Sequence, residues 1–327
     1  MHKVNIEIFC IAQTRMNAEE TRRWLDRCGA SDTKVPRTQP RCEVCHPEYC
    51  EHPPTEPEVT DAGAVCGLCA KRCYMSFEPG LNPNVTRVRR KWHEYLTNIL
   101  KSGHGSVTEH ASWTFAIEGV SRVLTGELNR HRAGVAISEG SMRYIRFDDI
   151  GFWMPTSLEE GNQALMPTRK CTVCKGNGKI PAEMPTRDCC DWCLGSGRRN
   201  ILGDEYFERI KRTTRNIFTD AFIEMEAINR RLCALWGIEE MKSFDTKKKL
   251  TSLFRRLIGM GVATGGTWTF NTRALRHIVA LRTSPHAEEE IAHVIGLIGK
   301  HMFDTEPSLF GDFVCEDGVW IPENVKV

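Results

Sequence analysis

The sequence predicts a mixed α/β or α+β body, a central sheet with helices, interrupted by two small cysteine-rich insertions. Three observations point there: short stretches that alternate with period two, long stretches of helical periodicity in the second half, and cysteines gathered in two segments poor in large aliphatic residues. The 327 residues, 41% hydrophobic and 26% charged, suffice for a sizeable core and exclude a chain disordered throughout. We read residues 1–327 as a single domain, with insertions at 42–73 and 171–193.

VNIEIF, near the start, alternates like a first strand. SWTFAIEG alternates again and sets Trp113, Phe115 and Ile117 on one face. Residues 205–236 carry Tyr206, Ile210, Ile217, Phe218, Met225, Ile228 and Leu232 at broadly helical spacing, which predicts a long helix. Ile291, Val294, Ile295 and Ile298 repeat the i, i+3, i+4, i+7 pattern of another. In TRALRHIVALR, Leu275, Ile278 and Val279 define an inward stripe whose next member is Arg282. An arginine there is costly unless it meets an anion or lines a site. A purely structural role would pair it with Glu288 or Glu289.

Lys and Arg number 44 against 42 Asp and Glu, a formal net charge of +2. That balance argues against nucleic acid bound by bulk basicity. No stretch approaches the roughly 20 apolar residues that span a bilayer. The start MHKVNIEIFC lacks the parts of a signal peptide. We therefore expect a cytoplasmic protein without a membrane partner.

In a reducing compartment, paired cysteines point to metal more than to disulfides. CTVCKGNG and CDWCLGSG are two copies of C-x-x-C-x-G-x-G. Cys171 and Cys174 with Cys190 and Cys193 can surround one tetrahedral Zn²⁺ and close its coordination sphere, which makes the metal structural. The repeat resembles the zinc module of the DnaJ chaperones, with two copies here and no His-Pro-Asp signature, so the likeness concerns metal geometry alone. Cys42 and Cys45 with Cys66 and Cys69 form a second candidate zinc site, where Cys50, Cys73, His46 and His52 compete as ligands. An iron–sulfur cluster or a nucleic-acid contact are the alternatives for both.

The densest functional signal is ELNRHRAGVAISEGSMRY, residues 127–144. Two guanidiniums flank an imidazole at Arg130, His131 and Arg132, followed by Ser138, Glu139, Ser141 and Arg143. Guanidinium forks with a nearby hydroxyl suit a phosphate or carboxylate. On composition alone, a solvated basic turn is the better explanation of them.

This stretch resembles the signature of the flavin-dependent thymidylate synthases: Arg-His-Arg, a spacer of about seven residues, then Ser-x-Arg-Tyr. The spacer here, AGVAISEG, has eight. SGHGSVTEH at 102–110, LFRRLIG, TWTFNTRALRHIVALR and SPHAEEEI resemble further blocks of that family in the same order. The resemblance covers roughly residues 92–155 and 205–303. It implies the family's fold and the reductive methylation of dUMP to dTMP, with methylenetetrahydrofolate as carbon donor, FAD as hydride carrier and NADPH as reductant, in a homotetramer.

By matched position, the resemblance assigns FAD contacts to His104, Ser106, Arg130, His131, Arg132, Glu139, Asn271 and Arg273, and to His277, which stands where Asn is common. It assigns the nucleotide to Glu127, Arg130, Glu139, Gly140, Ser141, Met142, Arg143 and Arg255. Arg282 falls to the base, where its cation would stabilise the N3-deprotonated uracil. Glu127 occupies a place the family usually gives to Gln, exchanging an amide for an acceptor-only anion. That departure leaves three outcomes open: Glu127 turns away, it is neutralised by Arg130, or the pyrimidine differs. The competing functions are a diverged enzyme installing another C5 group on dUMP or dCMP, such as hydroxymethyl, and a zinc-knuckle module for nucleic acid.

Overall fold

The computed structural model describes residues 2–36, 59–144, 149, 151–170, 196, 198–200 and 202–326. Cys42, Cys45, Cys171, Cys174, Cys190 and Cys193 lie outside them. In chain order the elements of the first half are β1 (His2–Lys3), β2 (Glu7–Gln13), α1 (Ala18–Arg27), α2 (Asp61–Tyr74), α3 (Trp92–Lys101), β3 (Ser112–Ser121), α4 (Arg122–Leu128) and β4 (Val135–Glu139). There follow β5 (Gly151–Phe152), β6 (Thr168–Lys170), β7 (Arg198–Asn200), α5 (Asp204–Leu235), α6 (Phe244–Phe254), β8 (Ala263–Asn271), α7 (Thr272–Arg282), α8 (Glu289–Thr305), α9 (Pro307–Phe310), β9 (Phe313–Glu316) and β10 (Val319–Pro322).

The chain divides into two compact units, a sheet unit of Asn5–Ser141 and Ala263–Val327, and a long-helix unit of Met1–Val4 and Met142–Val262. The sheet unit is built on four strands in the order β2-β3-β8-β4. All three pairings are antiparallel, which selects α+β from the two arrangements left open.

Alternation in β3 sends Trp113, Phe115 and Ile117 inward, each no more than 1% exposed, as expected. They meet Trp268 and Phe270 of β8 across the ladder, Trp113 opposite Phe270 and Phe115 opposite Trp268. Burial of a side chain of this kind contributes roughly 1.5–3 kcal/mol. The first strand of this sheet, β2, begins at Glu7, later than VNIEIF suggests, and Ile6 just before it packs with Ile8 and Cys10 against the same core. A register shift in β3 falls between Ile117 and Val120, where Gly119 holds φ +72°. A Cβ there would stand 2.0 Å from the Asn5 carbonyl oxygen, so only glycine fits.

Two strands of this sheet pass into helices with no loop between. Ser121 ends β3 and caps α4, its Oγ accepting from the amides of Val123 and Leu124. Asn271 ends β8 and caps α7, accepting from the Ala274 amide at 2.8 Å. Behind them α8 buries Ile291, Val294, Ile295 and Ile298 completely, the stripe its periodicity predicts. Beside that stripe the buried Glu290 carboxylate accepts the Ser121 amide at 2.6 Å and the Ser121 hydroxyl. Burial pushes its carboxyl up to about 7.

The first cysteine segment departs from expectation. Residues 61–74 form α2, not a metal-stapled turn, and Ala62, Ala64, Cys66, Leu68 and Ala70 are core residues. Cys66 is 0% exposed and burial pushes its thiol up to about 12. C-x2-C also spans one helical turn, and here the small apolar neighbours decide for the helix. Cys66 and Cys69 thus stand one helical turn apart on α2, with Cys66 packed into the core. Among the described residues no group of three or more His, Cys, Asp or Glu is placed to hold a metal ion.

In the long-helix unit, α5 is the predicted long helix. Its interior residue Lys211 is 1% exposed and donates to the carbonyls of Glu159 and Asn162, both at 2.6 Å, tying down the segment before β6. Tyr206, Ile210, Ile217, Phe218 and Ile223 remain exposed along the same helix. No helix among the described residues is long and apolar enough to cross a membrane.

Candidate functional site

The stripe that points Arg282 inward ends at a cluster of charge. Its Nη1 donates to Glu127 Oε2 at 2.7 Å, its Nη2 to the Glu127 carbonyl at 3.3 Å, and its Nε to His131 Nε2 at 2.8 Å. Neither Glu288 nor Glu289 is this partner, which corrects the ion pair expected of a structural role. Glu288 instead caps α8, accepting the amides of Glu290 and Ile291. Arg130 stands farther from Glu127, its Nη1 3.9 Å from Oε1 and its side chain 74% exposed. Glu127 is thus paired chiefly with Arg282 and not with Arg130, an arrangement outside the three outcomes its sequence position left open.

A guanidinium can only donate, so His131 Nε2 must be the unprotonated nitrogen of a neutral ring. Burial and the nearby Arg282 cation, followed by His277 and Arg130, hold its pKa below the ordinary histidine value. The His277 ring lies edge-on to His131, 6.3 Å between centroids.

Beside this cluster, a cleft of about 350 Å³ is lined by Glu109, Gly134, Asn271, Arg273 and His277. Arg273 Nη1 holds the Glu109 carboxylate at 2.7 Å, both side chains half exposed. Gly134 has φ +70°, and a Cβ on it would stand 2.5 Å from the Asn271 amide nitrogen. The Asn271 amide closes the corner on the Gly134 carbonyl at 2.9 Å. The donors of Arg273 and His277 at an open cleft suit the polar edge of a flavin ring, so these residues fit the FAD that the resemblance implies.

Glu139 and Gly140 are fixed by a residue that sequence reasoning missed. Arg122, the first residue of α4, bonds the Glu139 carboxylate and, at 2.6 Å, the Gly140 carbonyl. Asn129 adds an amide to Glu139 at 2.8 Å and accepts the Trp268 indole at 3.0 Å. Their signal is weak: Arg122 lies outside the quoted motifs, Asn129 lies within residues 127–144 but holds none of the positions that carry the resemblance, and only the sheet brings them to Glu139.

His104 stands apart from these groups, at the start of the 3-10 turn Gly105–His110. The Tyr74 hydroxyl lies 3.1 Å from its ring nitrogens. Ser106 is exposed on that turn, and Arg132 on the turn before β4. Ser141 ends the first segment of the sheet unit. Met142, Arg143 and Arg255 belong to the long-helix unit, where Met142 packs with Val262, Phe222, Met225 and Ile258.

Residues 58–308 match the family described as thymidylate synthase complementing protein. The chain belongs to that family. A flavin-dependent thymidylate synthase of Mycobacteroides abscessus is 28% identical over 80% of this chain and 84% of its own length. That of Mycolicibacterium vanbaalenii is 27% identical over 81% and 88%. One from Nitratidesulfovibrio vulgaris is 35% identical over 38% of this chain and 47% of its own. For a thymidylate synthase complementing protein, the matched span has a physical consequence here. It takes in α2, so Cys66 and Cys69 both sit inside the matched segment, Cys66 in the packed core and Cys69 only partly buried.

Proposed function

We propose that the protein is a flavin-dependent thymidylate synthase, methylating dUMP to dTMP with methylenetetrahydrofolate, FAD and NADPH. The observation that carries this reading is the convergence of Arg282, His131 and Glu127 beside a cleft lined by Asn271, Arg273 and His277. Arg282 would bind the uracil base, since a planar cation that never loses its charge can stabilise a deprotonated N3 and its carbonyl oxygens together. Glu127 and His131 hold that guanidinium in one plane before substrate arrives. Bound FAD would supply the hydride, with Arg273, Asn271 and His277 as the residues that hold it. Ser141, Arg143 and Arg255 would take the nucleotide phosphate and sugar.

The same reading includes a homotetramer, supported by the apolar residues left exposed along α5. It includes a structural Zn²⁺ at Cys171, Cys174, Cys190 and Cys193, supported by their spacing alone, and none at Cys66 and Cys69. A cytoplasmic setting suits the free thiols found among the described residues.

One observation favours a second reading. The Glu127 carboxylate only accepts hydrogen bonds, so beside Arg282 it would suit a base with an exocyclic amino donor, as in dCMP. One experiment tests both. Purified protein is incubated with methylenetetrahydrofolate, NADPH and either dUMP or dCMP, and the product nucleotide is identified by mass. A gain of one methyl on dUMP is expected. No product from dUMP, with a modified product from dCMP, overturns the first reading in favour of the second.

A further inference from the structure

A second cleft of the sheet unit, of about 740 Å³, is bounded by Lys34, Lys71, Glu78, Arg89, Arg90 and Lys91 with their neighbours. The reaction proposed above uses none of these residues. Five cations line it against the carboxylates of Asp32 and Glu78. Among the described residues, Lys91 pairs with Glu94 at 3.1 Å, whereas Lys34, Arg89 and Arg90 have no ion-pair partner. Arg89 is nevertheless half buried. Lys71, 3% exposed, directs its ammonium to the carbonyls of Ser76 and Arg89, at 3.4 and 3.1 Å, and over the Tyr95 ring at 4.4 Å. Those contacts carry no charge, and Glu78 on the same cleft is the carboxylate that acts on it.

The start of α3 adds to the imbalance. Its cap is Lys91, which makes no side-chain cap bond, so the amides of its first turn, whose Trp92 and His93 line the cleft, lack the acceptor that such positions usually have. A cation at the positive end of a helix is unfavourable in itself. An anion in the cleft would accept from those amides and balance the surrounding cations. The volume greatly exceeds that of one phosphate group.

We propose that this cleft binds a nucleoside di- or polyphosphate, its phosphates held by Arg89, Arg90 and the free amides at the start of α3. The inference is independent of the reaction proposed above, and its readout is binding alone. The full chain is titrated calorimetrically with inorganic pyrophosphate, ADP and phosphate-free adenosine at about 0.15 M salt, where exposed charges are strongly screened. Pyrophosphate and ADP are expected to bind saturably and to compete with each other, and adenosine is expected not to bind. Arg90→Glu, an exposed position that leaves the core untouched, is expected to weaken both at least tenfold, with an unchanged circular dichroism spectrum. Arg130→Ala is expected to leave this binding in place. Absence of saturable binding, failure of ADP to displace pyrophosphate, or loss of binding in Arg130→Ala with retention in Arg90→Glu would each overturn the proposal.

Discussion

Arg282 reaches across 155 residues of chain to put its Nη1 2.7 Å from the Glu127 carboxylate. The contact holds the guanidinium in place without substrate, and a nucleotide base would have to share it. Arg282→Ala is expected to lower dUMP affinity about 10- to 100-fold and turnover with it, the scale of a lost charged hydrogen-bond pair. Flavin absorbance should survive, and Arg282→Lys should rescue little, because an ammonium lacks the planar two-point contact. Glu127→Gln keeps an acceptor and is expected to keep product formation. Titration of dUMP into each variant checks these outcomes, and a fully active Arg282→Ala would remove the base-binding role.

His131 accepts from Arg282 only while neutral. Its lowered pKa keeps it so at neutral pH. Acidification below the ordinary histidine value of about 6.5 puts a proton on the nitrogen that faces Arg282 and breaks the bond. Nucleotide affinity should therefore fall on the acid side. In His131→Asn, whose amide oxygen accepts without titrating, that step should vanish. An acid limb of unchanged position in the variant assigns it to another group.

Glu306 is buried, its Oε2 2.5 Å from the Thr60 hydroxyl, and burial raises its carboxyl to about 7. A folded pKa above the unfolded value of about 4.5 gives stability that is complete below 4.5 and lost as pH rises through 7. The shift corresponds to roughly 3 kcal/mol as an upper bound. Thermal melts of Glu306→Gln and wild type should converge near pH 4.5, with wild type falling behind as pH rises to 8. Parallel curves across that window would place the titration elsewhere.

Gly134→Ala forces a side chain onto a backbone at φ +70° and into the Asn271 amide. A loss of about 1–2 kcal/mol in stability is expected, together with weaker FAD retention, since Asn271 both lines the cleft and caps α7. Urea titration and flavin absorbance measure the two effects. Unchanged FAD retention would detach Asn271 from the cofactor.

Metal content should separate the two cysteine segments. Elemental analysis is expected to find bound zinc reduced in Cys171→Ser and unchanged in Cys66→Ser. Cys66→Ser should instead lower the melting temperature, because it sets a hydroxyl in an apolar core. Zinc lost on replacing Cys66 would restore a metal role there.

Periodicity made the inner face of β3, the stripe of α8 and the inward turn of Arg282 legible, because each depends on neighbours within about seven residues. The partner of Arg282 was not legible. Glu127 lies on another helix, and no local period relates the two. Arg122 and Asn129 escaped for the same reason: only closure of the sheet brings them to Glu139. The segment around Cys66 carried two signals at once, since a spacing of three suits both a metal turn and a helix face. The density of apolar, mostly small residues around it, at Ala62, Ala64, Leu68 and Ala70, was the better guide.

The helices α4 and α7 leave opposite ends of one strand pair, since Ser121 lies opposite Ala263 and Asn271 opposite Ser112. Seven and eleven residues make them about 10 and 16 Å long, yet their final turns touch at Glu127 and Arg282. The two helix lengths therefore work as a gauge. One residue inserted into either helix ahead of the contact would swing its side chain by about 100° and advance it about 1.5 Å, enough to disconnect a 2.7 Å bond. The number of residues between each cap and its terminal charge is therefore constrained, and exchange of residues there is tolerable where insertion is not.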